Sequence, residues 1–95
     1  MTTQHAVAKQ TAIDWAKSLF EYDTVIIDFE TTGRGNAEIV QIGVLDAQGN
    51  VLMDQLVKPG KSIPAEVTDI HGITDEMVAD APTFPEVAAA FEALI

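Results

Sequence analysis

Asp28 and Glu30 are the residues best placed by type and spacing to do chemistry. They close an apolar run, Thr24-Val25-Ile26-Ile27, and stand one residue apart before Thr31-Thr32-Gly33. Side chains alternate along a strand, so both carboxylates point to one face and Phe29 points to the other. Adjacent acids repel each other unless a cation lies between them. All-oxygen ligands suit a hard divalent ion, Mg2+ or Mn2+, better than zinc. Two such ions about 4 Å apart activate water and stabilise the leaving oxygen in phosphodiester hydrolysis. Taken alone, the spacing also fits two acids solvating the end of an exposed strand.

The elements that must position this pair can be read from the pattern. Ala8, Ala12, Trp15 and Leu19, with Ile13, Ala16 and Phe20 on the next row, predict an amphipathic helix over about 6–20 that packs on a sheet, with Trp15 in the core. Strands are expected near 24–29, 39–45 and 51–57, the last two joined by the turn Asp46-Ala47-Gln48-Gly49-Asn50. Together they form an antiparallel meander. Ile63-Pro64 opens a short helix that ends near Ile70, and Thr74 caps a brief one through Met77. Thr83-Phe84-Pro85-Glu86 has capping-box spacing ahead of a helix bearing Val87 and Phe91. Gly33-Arg34-Gly35-Asn36 lacks the G-K-[ST] ending of a phosphate loop and reads as a glycine turn, with Arg34 solvated or touching a substrate phosphate.

Composition bounds the function. A chain of 95 residues makes one small domain, and 47% apolar content supplies a core. Cysteine is absent, which removes disulfide and thiolate chemistry. No export signal and no membrane-length apolar run is visible, so the expected location is cytoplasmic. The net charge is −10, with only Lys9, Lys17, Arg34, Lys58 and Lys61 basic. That balance argues against simple binding of nucleic acid through a basic stripe. A metal-dependent nuclease tolerates it, because bound ions meet the scissile phosphate.

Six segments in register resemble the DEDD (DnaQ-like) family of 3'-5' exonucleases, which includes the DNA polymerase III epsilon subunit and ribonuclease T. They are Asp28 to Gly33, Glu38 to Val44, Val57-Lys58-Pro59, Ile63-Pro64, His71-Gly72-Ile73-Thr74 and Ala81-Pro82. The resemblance implies a partial ribonuclease H-like α/β fold: an N-terminal helix, the three-stranded meander and C-terminal helices, without the later strands. It implies a helical extension over 1–23 and the N-terminal half of an exonuclease domain over 24–95. It makes Asp28 and Glu30 catalytic metal ligands in a two-metal Mg2+ or Mn2+ site, and Thr31, Thr32 and His71 substrate contacts. His71 matches the substrate loop and not the general base.

The family's third acid, its histidine base and its fourth aspartate would fall beyond Ile95. The chain therefore reads as truncated, with an inactive half-site and a first strand left as an exposed edge open to self-association. The implied substrate is the 3' end of single-stranded DNA or RNA, and the implied partners include a DNA polymerase or another replication or repair protein. The alternative from a different class is a non-catalytic binding or regulatory module built on the same half-fold.

Overall fold

A computed structural model of the chain describes residues 3–21 and 24–95, with side chains for 9–18 and 24–95. The elements run α1 (Thr3–Glu21), β1 (Val25–Thr31), β2 (Ile39–Asp46), β3 (Val51–Leu56), α2 (Ala65–His71), α3 (Asp75–Val78) and α4 (Phe84–Glu92). The three strands form one antiparallel sheet in the order β1-β2-β3, as the alternating pattern predicts.

The alternation in β2 sets the layers. Val40, Ile42 and Val44 are completely buried, while Gln41 and Gly43 between them, and Leu45 after them, are half-buried. Ile42 and Val44 pack with Val57 and with Val87 and Phe91 of α4. Val40 packs instead with Ile63, Ile73 and Val78, beneath α2 and α3. The sheet thus has one covered face. Phe29 opposes Ile42 on that face and meets the Phe91 ring edge-on, with centroids 5.7 Å apart.

Turn and cap chemistry fixes the connections. The Asp46 carboxylate accepts the backbone N–H groups of Gln48 and Asn50, each at 2.9 Å, and the Asn50 side-chain amide at 2.8 Å. The Asn50 side chain first, and the backbone donors after it, hold the Asp46 carboxyl below its ordinary value. Gly72 closes α2 in the left-handed conformation, φ 78°, and its N–H reaches the Thr68 carbonyl at 2.7 Å. The Thr74 hydroxyl accepts from Met77 N–H at 3.3 Å and so caps α3. At α4 the Thr83 hydroxyl donates to the Glu86 carboxylate at 3.1 Å and makes no cap bond to the backbone. The expected capping box is replaced by this side-chain bond: the Thr83 hydroxyl is spent on Glu86, and the residue itself is extended and bridged in parallel to Lys58.

The expectation that α1 packs on the sheet with Trp15 in the core is corrected. Residues from Lys9 to Lys17 are all exposed, and Trp15 is 65% exposed. Ala8, Leu19 and Phe20 of the expected apolar rows lie outside the described side chains. The described part of the row holds alanines around a single tryptophan, which offer little apolar area to bury. No helix among the described residues is long and apolar enough to cross a membrane.

Candidate functional site

The first strand ends at the site. Asp28 opposes Gly43 and Glu30 opposes Gln41, so both carboxylates lie on the sheet face away from Phe91. Asp28 is exposed and Glu30 half-buried. Gly43, without a side chain, is flanked by Asp28 on β1 and Asp54 on β3, and this leaves open floor beside Asp28. Gln41 donates its amide to Asp54 at 3.0 Å. Among the described residues neither Asp28 nor Glu30 has a hydrogen-bond or ion-pair partner, and no third His, Cys, Asp or Glu joins them as a metal cluster. Two unpartnered carboxylates on one face supply part of an oxygen-ligand set for a hard divalent ion.

Beyond Glu30 the strand bulges, its register slipping between Glu30 and Thr31. The chain then turns at Gly33. That turn needs glycine twice over: its φ is 128°, and a Cβ would sit 3.3 Å from Val67 Cγ2 of α2. The Thr31 hydroxyl lies 3.2 Å from both the Gly33 N–H, which donates to it, and the Gly33 carbonyl, to which it donates. Thr32 is buried. Its hydroxyl accepts from Glu38 N–H at 3.0 Å, and its own N–H donates to the Glu38 carbonyl at 2.9 Å. The structure therefore engages Thr32 in tying the loop to β2.

His71 fastens α2 to β1 across forty residues of chain. Ile73 N–H donates to Nδ1 at 3.0 Å, so that nitrogen is the unprotonated one. Nε2 then carries the proton and donates it to the Thr31 carbonyl at 3.0 Å. Both ring nitrogens are engaged, which leaves no free lone pair for a general base. Replacing His71 with phenylalanine strands a part-buried carbonyl and a part-buried N–H. The expected loss is about 1–3 kcal/mol, read as a lower urea midpoint together with faster amide exchange at Ile73. Unchanged exchange there would show that the clasp does not hold the loop.

These elements enclose a groove of about 570 Å³, lined on one wall by Phe29 to Arg34 and on the other by Pro64, Glu66, Val67, Ile70 and His71. Glu30, Thr31, Thr32 and His71 come together on it, and Asp28 lies outside its lining. The sequence gives Ile70 only as the end of a short helix, yet it lies 84% exposed on the groove wall. The available signal was the helix-spaced apolar pair Val67 and Ile70 following Pro64.

An antiparallel meander with paired carboxylates closing its first strand and helices after its third is the arrangement of ribonuclease H-like exonucleases. Solved structures agree: cell-death related nuclease 4 superposes with a TM-score of 0.59 and 25% identity over 74% of this chain and 28% of its own. A full-length 3'-exonuclease gives 0.57 and 26% identity over 74% and 27%. The RNase T exonuclease family model matches residues 25–95, and the chain belongs to that exonuclease family. An uncharacterised exonuclease of Escherichia phage 186 is 48% identical over 90 residues, 94% of this chain and 46% of that protein. A DNA polymerase III subunit epsilon-like protein of Rhodobacter capsulatus is 46% identical over 76 residues, 70% of this chain and 11% of its own length. The chain thus spans less than half the length of these relatives. Divalent metal ions are in general use in this family.

Proposed function

We propose that residues 24–95 form the N-terminal half of a 3'-5' exonuclease domain, with 1–23 as a helical extension, acting on the 3' end of single-stranded DNA or RNA. The observation that carries this reading is the pair of unpartnered carboxylates, Asp28 and Glu30, on one face of β1, with Glu30 opening onto the groove. Asp28 and Glu30 would hold a Mg2+ or Mn2+ ion, which when bound would supply charge to the scissile phosphate and acidify the attacking water. Thr31 and the Gly33 turn shape the floor under the terminal nucleotide, and His71 keeps the far wall in place. Cytoplasmic location and service to a DNA polymerase or another replication or repair protein belong to the same reading.

Mn2+ titration followed by amide NMR tests it. Paramagnetic broadening is expected to begin at Ile27 to Thr31 and Gly43. Broadening centred instead on the acids of α2 and α3 overturns the assignment.

The exposed edge supports self-association as a second property of the isolated chain. β1 lies at the edge of the sheet with Ile26, Ile27 and Phe29 each about two-fifths exposed or more. A bare apolar edge strand templates pairing with another chain. Sedimentation is expected to show mass rising with concentration, and Ile26→Lys to shift the chain toward monomer. A wild-type monomer at all concentrations would contradict this.

A further inference from the structure

Resting on the exonuclease reading, we propose that the loops beyond the groove form a second subsite, which takes the nucleotides upstream of the 3' end of a single strand. Residues 24–95 contain twelve acids and three cations, Arg34, Lys58 and Lys61. All three cations fall on two loops that touch. Lys61 Nζ donates to the Asn36 carbonyl, and Gly60 N–H donates to both Glu38 carboxylate oxygens at 3.0 and 3.1 Å. Arg34 lines the groove, so the loop that leaves the groove leads directly to Lys61 and Lys58.

The acids nearby are engaged. Glu38 is taken up by Gly60, Asp75 accepts Ile63 N–H at 2.9 Å, and Glu86 accepts the Thr83 hydroxyl. Lys58 in turn borders a cavity of about 640 Å³ whose walls include Ile39, Pro59, Phe84 and Pro85. Phe84 is 40% exposed there. A lysine beside an exposed ring is the pairing that grips single strands, the phosphate on the ammonium and the base on the aromatic face. No other lysine or arginine lies within residues 24–95, so a strand leaving the groove meets the cations of that span along this path.

Amide NMR with a thymidine dinucleotide and an octanucleotide, in excess Ca2+, tests the subsite. The dinucleotide is expected to shift Thr31 to Gly33 and His71 to Ile73. The octanucleotide is expected to shift Gly35, Asn36, Lys58, Gly60, Lys61 and Phe84 as well. The double variant Lys58→Gln, Lys61→Gln is expected to lose the second set, and its salt dependence, log K against log salt, to flatten by about 1.4 for two phosphate contacts. Groove shifts with no added loop shifts, or an unchanged salt slope in the double variant, overturn the subsite and leave the exonuclease reading standing. Shifts from neither oligonucleotide overturn both.

Discussion

Ile42→Ala is expected to remove most of the stability of the fold. Ile42 is fully buried in the central strand, facing Val44, Val57, Val87 and Phe91. Truncating a buried isoleucine loses its transfer energy and leaves a cavity, together about 2–5 kcal/mol. A chain of 95 residues has about 5–14 kcal/mol in total at the usual per-residue value. With one face of its sheet covered by the described residues, this one belongs near the lower end. The loss corresponds to a fall in Tm of roughly 10–30 °C. Far-UV circular dichroism melts measure it, with Ile70→Ala as the comparison. Ile70 is 84% exposed, and its truncation is expected to change stability by less than about 0.5 kcal/mol. Equal losses from the two changes would mean that the layer under α4 does not hold the domain together.

Asp28→Asn is expected to reverse the effect of divalent ions on stability. Without metal the exchange relieves repulsion between two unpartnered acids on one face, so the variant melts slightly above the wild type. With Mn2+ in tenfold excess over its dissociation constant, the wild type gains about 1.4 kcal/mol by mass action. The variant gains little, because losing a ligand weakens binding by at least the roughly 10–100-fold that losing an outer-shell partner brings. Melts of both proteins with and without Mn2+, at constant ionic strength, show the crossing. Parallel stabilisation of both proteins would place the metal elsewhere, and it would favour the reading of the chain as a binding module.

The meander was legible because two local signals agree at each step. Val40, Ile42 and Val44 alternate with Gln41 and Gly43, and Asp46 to Asn50 has the residues a tight turn requires. The short helices announced their starts at Pro64 and Thr74 for the same reason. The placement of α1 was not legible: a row of alanines around one tryptophan says that a face is apolar and is silent on which surface has room for it. At the site, the period of two set Asp28 and Glu30 on one face. The direction of the Thr32 hydroxyl depends on where Glu38 returns, six residues later, and the acceptor for His71 Nε2–H is the Thr31 carbonyl, forty residues earlier. Such partners are fixed by tertiary approach, which sequence spacing does not encode.

The exposure of Trp15 decides how the molecule can be watched. It is the sole tryptophan, and it stands on a helix whose described side chains are nearly all in solvent. At 65% exposure its native emission is expected to be close to that of a hydrated indole, so fluorescence-monitored denaturation is expected to report the sheet unfolding only weakly. The same insensitivity makes the indole a clean beacon for anything that lands on α1: a blue shift would signal capture of that helix with little contribution from the rest of the fold.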